Sequence, residues 1–242
     1  MQLFSAHIVV AILRRLVIAV LVVGITYASV AQLRPVLLSN RPLPRSTDVS
    51  GPCAVWFIGS STIARWSTLG QDMAPWATSN RGVANALAGE IVSRFHADGA
   101  VLSPEVVVLY IGDNDLANGA APVEIVRAVS EFLADARERM PGARIVVLGV
   151  KPSPTRWFLR KAQRQLDGMI RDQIHGQMRV SFADVAPALL VDGKPGPYFV
   201  NDGIHLNPDG YRIWGQAVRR AIEMSVPYNA ASRCRADRGR VS

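Results

Sequence analysis

Cysteine and histidine are both scarce in this chain. Its 242 residues include two cysteines, Cys53 and Cys234, and four histidines, at positions 7, 96, 175 and 205. Zinc sites need such residues at short fixed spacings, and none of these stands in one, so neither a metal nor a cofactor is expected. An oxidising compartment permits the two cysteines to pair. A pair this distant in sequence is not assignable without geometry, so a bridge and two unpaired thiols both stand open. Charged residues make up only 19% of the chain against 49% hydrophobic. That balance supplies a core and excludes wholesale disorder. Internal repeats and low-complexity tracts are absent as well, leaving one domain of ordinary size and about fifty residues for targeting and linking.

Acidic residues are outnumbered, 19 against 27 basic, for a formal net charge of +8. The excess is not spread evenly. Residues 1–50 carry five Arg and one Asp, residues 233–242 carry four Arg and one Asp, and the body between them holds 18 basic against 17 acidic groups. No nucleic-acid motif accompanies the charge. It reads as a membrane-proximal segment and a solvated tail, and nucleic acid is not an expected partner.

The apolar run Leu16 to Ala31 (LVIAVLVVGITYASVA) follows Arg14 and Arg15, the charge order of a secretory signal or a signal anchor. It falls short of the ~20 residues a spanning helix needs, and Ser29-Val30-Ala31 offers small residues for cleavage. The length of chain before it and the weakly polar Ile25-Thr26-Tyr27 fit an anchor. Either reading makes the protein extracytoplasmic, periplasmic or held at the inner membrane facing the periplasm, with a membrane contact through this segment if it is uncleaved. The expected division is a signal peptide or anchor over 1–31, a Pro-rich linker over 32–52, a folded domain over 53–226 and a basic tail over 227–242.

From residue 54 onward, apolar runs alternate with amphipathic stretches, the order of a parallel sheet covered by helices. Strands are expected at Ala54 to Ile58, around Thr78-Ser79, at Val106 to Ile111, at Ile145 to Val150 and at Arg179 to Phe182. Helical spacing recurs at Ile125, Val126, Val129, Phe132 and Leu133, which predicts a helix from Pro122 to Met140; others are expected from Arg160 to Ile174 and from Pro208 through Ile222. The fold class is therefore α/β, with a parallel sheet of about five strands. Reactive groups gather at the carboxyl ends of such strands. Four polar clusters fall there: Gly59-Ser60-Ser61-Thr62, Asn80-Arg81-Gly82, Gly112-Asp113-Asn114-Asp115 and Asp202-Gly203-Ile204-His205.

A serine hydroxyl attacks only after a base takes its proton, and an imidazole, with an unperturbed pKa of ~6.5, is the base available near neutrality. His205 is the candidate. Asp202, three residues earlier in a Gly-containing turn, is placed to fold back onto the other ring nitrogen. A developing oxyanion needs donors fixed in advance, and the Ser61 and Gly82 amides and the Asn114 side chain would serve. Each cluster also has an inert reading as a turn or helix cap. The catalytic reading rests on their shared order and placement. Asp113, Asp115 and Asp184 read as turn or supporting residues, and Trp157, Tyr198 and Phe199 as packing or as a cleft lining.

These residues resemble the SGNH (GDSL-like) hydrolases, whose blocks contribute Ser, Gly, Asn and His in this chain order. The first block is similar to Phe57 through Ile63, with Ser60 standing where the family name has Asp. The resemblance places the nucleophile on Ser61, the second-block glycine on Gly82, the third block on Gly112 to Asp115 and the last on Asp202 to His205. It spans residues 55–220. It implies a three-layer α/β/α, flavodoxin-like fold and a serine esterase acting through an acyl-serine on a small acyl or acetyl ester of a saccharide or lipid. The rivals are an O-acyltransferase working on envelope polysaccharide and a non-catalytic binding module of the same fold.

Overall fold

Alternation of apolar residues along the central strands divides the interior into two layers, as the computed structural model shows. It describes residues 14–19, 22, 41–99 and 103–238, with side chains of the last helix described to Arg235. The chain separates into two units, 1–40 and 41–242. In the first, Arg14 to Ala19 and Val22 are helical. The rest of the expected signal or anchor segment lies outside the described residues. Among the described residues, no helix is long and apolar enough to cross a membrane.

The second unit is built on five parallel strands, β1 (Gly51–Gly59), β2 (Ala77–Gly82), β3 (Pro104–Tyr110), β4 (Arg144–Leu148) and β5 (Val180–Ala183), in the order β2-β1-β3-β4-β5. Successive side chains of a strand point to opposite faces. Trp56 and Ile58, Val107 and Leu109, and Ile145 and Val147 therefore enter one layer. That layer is covered by α3 (Ala88–His96), α5 (Pro122–Arg139) and α6 (Arg160–Ile174), which bring Ile91, Phe95, Phe132, Leu133, Leu166 and Ile170. Val55 and Phe57, Val106, Val108 and Tyr110, and Val146 and Leu148 enter the other. It is covered by the short α1 (Ser61–Ala64) and α2 (Leu69–Asp72), by α7 (Pro208–Ser225) and by α8 (Ala230–Arg238). Between β3 and α5 stands α4 (Asp113–Ala117). The expected α/β/α class and five-strand sheet are what the chain forms, with strand ends displaced by one to three residues from the expected bounds. Leu190–Val191 and Lys194–Pro195 add a small antiparallel pair, β6 and β7.

Two expected boundaries move. Composition places residues 41–52 in the spacer, yet they are packed on the body. Leu43 is buried. The Ser46 N–H donates to the Asn80 carbonyl at 3.2 Å, the Asn80 N–H to Ser46 Oγ at 2.8 Å, and Thr47 Oγ1 to the Thr78 carbonyl at 2.6 Å. These bonds satisfy the outer edge of β2, whose N–H and C=O groups would otherwise be left open. At the other end, charge places residues beyond 227 in a tail, yet Ala230–Arg238 form α8, with Ala230 and Cys234 buried. A disulfide joins Cys234 to Cys53 at the start of β1, with the Cα atoms 5.5 Å apart. A covalent tie across 181 positions leaves no local pattern in the sequence.

Candidate active site

The chain leaves β1 at Gly59 and turns at once into α1. The Ser60 carbonyl accepts the N–H groups of Ile63 and Ala64, both at 3.1 Å, which starts the helix. Ser61 is thereby the first helical residue, where backbone N–H groups have no partner within the helix. The Tyr211 hydroxyl donates to the Thr62 carbonyl at 2.9 Å and fastens this corner to α7.

The last polar cluster sits in a turn just before α7. Asp202 Oδ1 accepts the backbone N–H groups of Ile204 and His205, at 2.8 and 2.9 Å, an arrangement that a short carboxylate side chain closes readily. Its Oδ2 lies 2.6 Å from His205 Nδ1. The other ring nitrogen, Nε2, lies 2.9 Å from Ser61 Oγ. Ser61, not Ser60, is therefore the serine that the imidazole reaches, and the two adjacent hydroxyls are separated by geometry. Partial burial disfavours the charged form of Asp202, but hydrogen bonds from the His205 ring and the two backbone amides outweigh it and hold the carboxyl well below the usual carboxylate range. Downstream, Asn207 caps α7 by accepting the Gly210 N–H at 2.8 Å.

Gly82 and Asn114 arrive from the ends of β2 and β3. A β-carbon on Gly82 would stand 2.2 Å from the Ala64 nitrogen, so only glycine lets β2 close on α1. The Gly82 N–H is already engaged, donating to Asn80 Oδ1 at 3.0 Å. Of the three donors expected for an oxyanion, this one is committed elsewhere. Gly112 precedes α4 with φ 102, and a β-carbon there would press on Leu166 and Ile125 at 2.9 and 3.0 Å. This turn presents Asn114, whose Nδ2 donates to the Ala86 carbonyl at 3.0 Å and keeps a second hydrogen. Asn114 Oδ1 accepts both terminal nitrogens of Arg156, each at 3.1 Å.

Arg156 and its neighbours were not singled out in the sequence. Lys151, fully buried at the end of the apolar run of β4, places Nζ 3.1 Å from Asp113 Oδ2, and Arg156 places a nitrogen 3.0 Å from the same oxygen. Burial pushes the Asp113 carboxyl up, but the two cations prevail and hold it below its ordinary value. A lysine directly after the apolar run 145–150 was the available signal. Asp115 accepts the Ala88 N–H at 2.9 Å at the start of α3, and Asp184 accepts that of Ala186 at 3.1 Å, both supporting contacts. Tyr198 and Phe199 pack, partly buried, against the α7 layer. Trp214, on α7, meets Trp66 and Tyr110. Among the described residues, no group of three or more His, Cys, Asp or Glu side chains is placed to hold a metal ion.

The chain is similar to Platelet-activating factor acetylhydrolase IB subunit alpha1 of Homo sapiens, 29% identical over 116 residues, covering 46% of this chain and 48% of that protein. It thus spans about half the length of the curated relatives it matches. Among solved structures it is similar to a GDSL-like lipase from Bacteroides thetaiotaomicron, with TM-score 0.59, 22% identity, and 75% of this chain and 93% of that one covered. A carbohydrate esterase family 3 protein from Talaromyces cellulolyticus matches with TM-score 0.56, 15% identity, and coverage of 71% and 97%. At these identities the structural matches speak for the fold. The model of the GDSL-like Lipase/Acylhydrolase family matches residues 57–213, a stretch that runs from the end of β1 into α7 and includes Ser61, Gly82, Asn114, Asp202 and His205. On that match, which covers more than half of its residues, the chain belongs to the GDSL-like lipase/acylhydrolase family.

Proposed function

We propose that the chain is an extracytoplasmic serine esterase that hydrolyses a small acyl or acetyl ester of a saccharide or lipid. The observation that carries this is the line of contacts from Ser61 Oγ to His205 Nε2 at 2.9 Å and from His205 Nδ1 to Asp202 Oδ2 at 2.6 Å. Ser61 Oγ attacks the ester carbonyl while His205 Nε2 takes its proton, and ionised Asp202 stabilises the imidazolium. The Ser61 N–H and the free hydrogen on Asn114 Nδ2 receive the oxyanion. Gly82 serves by letting α1 and β2 close. Collapse of the tetrahedral intermediate breaks the C–O bond to the alcohol, which leaves with the proton from His205. Water then attacks the acyl-serine, giving its proton to His205, and the carboxylic acid departs as Ser61 recovers its hydrogen.

The Cys53–Cys234 bridge supports a location outside the cytoplasm, where disulfides persist, in keeping with the targeting segment read over residues 1–31. The acetylhydrolase name of the human relative supports a short acyl group. A fluorophosphonate, which reacts with activated serines, tests the assignment together with p-nitrophenyl acetate hydrolysis. The parent and Ser60→Ala proteins are expected to label and turn over, and Ser61→Ala to do neither. Labelling or undiminished turnover in Ser61→Ala would overturn it.

A further inference from the structure

The loop after β4 reaches both halves of the site. Thr155 Oγ1 donates to the Asp202 carbonyl at 2.7 Å and the Thr155 N–H to the Gly203 carbonyl at 3.1 Å, so this residue holds the turn that carries Asp202 and His205. Its neighbour Arg156 turns the other way. Its guanidinium places two nitrogens 3.1 Å from Asn114 Oδ1, and one of them is 3.0 Å from Asp113 Oδ2. Asp113 is pinned in turn by buried Lys151. The Arg156 side chain is only 15% exposed.

A carboxamide has an accepting end and a donating end of nearly equal size, and either orientation fits most pockets. Here one does not. Turned over, Asn114 would set its NH2 group against the guanidinium and its oxygen against the Ala86 carbonyl, donor facing donor and acceptor facing acceptor. We propose that Arg156 is a positioning residue for ester hydrolysis, holding the Asn114 carboxamide by its oxygen so that the amide nitrogen is always the end offered to the oxyanion. Two charge-assisted bonds to Oδ1 also draw electron density from the amide and make its remaining N–H a stronger donor. The inference rests on the esterase reading of the site and adds to it a residue that touches neither substrate nor nucleophile.

The test is a cycle of variants assayed on p-nitrophenyl acetate. Arg156→Gln is expected to lower kcat by about 10- to 100-fold, the scale of a misplaced reacting group, with KM within about twofold of the parent. Asn114→Ala is expected to lose about 10²- to 10³-fold, and adding Arg156→Gln to it should cost nothing more. Losses that multiply in the double variant, or a loss confined to KM, would overturn the proposal and make Arg156 a substrate-binding group. A second measurement needs no folded variant of Arg156. In the parent chain, the Asn114 side-chain carbonyl carbon, assigned by its disappearance in Asn114→Ala, should resonate downfield of free asparagine; a value at the free position overturns the brace. Should the parent fail to hydrolyse esters at all, the esterase reading falls, while the carbon resonance still decides whether Arg156 holds Asn114.

Discussion

Gly82 and Ala64 meet backbone to backbone, so closely that a β-carbon on the glycine would stand 2.6 Å from the Ala64 Cα as well as 2.2 Å from its nitrogen. Neither side of that contact is a flexible side chain, so Gly82→Ala must push β2 and α1 apart. Overpacking of this kind costs about 1–3 kcal/mol, which a denaturant melt will register. The activity loss should be larger in proportion, about 10²-fold in kcat, because Ser61 opens the displaced helix and a shift near 1 Å misaligns it with His205.

Asp202→Asn keeps the shape of the turn but removes the charge behind the imidazole, and is expected to lower kcat by about 10⁴-fold. The carboxyl is held well below the usual range, so its stabilising effect is fully present above the unfolded value of ~3.9 and is lost as pH falls through the folded one. The melting temperatures of parent and variant should therefore differ at pH 7 and converge on strong acidification. Convergence already at pH 5 would contradict the hydrogen-bond pattern around Asp202.

Asp167 behaves in the opposite sense. Burial, with some help from nearby Asp184, raises its carboxyl to about 6, although it accepts the Val150 N–H at 3.0 Å. A carboxyl raised in the folded state favours folding while protonated and opposes it as pH rises through that value. Asp167→Asn keeps an oxygen for Val150 without the charge. It should be more stable than the parent by about 2–3 kcal/mol at pH 7.5, with the gain shrinking to nothing below pH ~4. Thermal melts across that range measure it.

Reduction of the Cys53–Cys234 bridge, or Cys234→Ser, should cost about 2–5 kcal/mol of stability, at the upper end for a loop this long. The bridge lies at the amino end of β1 and Ser61 beyond its carboxyl end. Turnover at a temperature where the reduced protein is still folded should accordingly stay within about twofold of the parent.

Where burial follows a local period, the fold was legible. The runs at 106–111 and 145–150 declared β3 and β4, and the spacing of Ile125, Val129, Phe132 and Leu133 declared α5. β2 was dim because Ser79, Asn80 and Arg81 are polar. Ser79 and Asn80 bond the residues 46–47 folded over them, while Arg81 is buried between Asp98, at 2.8 Å, and the face of Trp56. That covering segment was lost to its Pro-rich composition. Ser61, Asp202 and His205 could be picked out because Ser61 directly follows a recognisable strand and Asp202 and His205 directly precede a recognisable helix. Arg156 could not, since its meaning lies in contacts with Asp113 and with Asn114, the latter 42 positions away. The commitment of the Gly82 N–H to a side chain two residues earlier was likewise invisible without coordinates.

The same disulfide gives the domain a mechanical character. A pull applied ahead of Cys53 and beyond Cys234 is carried by the sulfur bridge, because the chain between them is short-circuited. β1 from Cys53 onward, β2 to β5 and the turn holding Asp202 and His205 lie inside that closed loop and, apart from the bonds of residues 46–47 to β2, bear little of the load. Tethering the protein by its ends, whether to a membrane or to a surface in an experiment, therefore strains the anchor points and leaves the site slack.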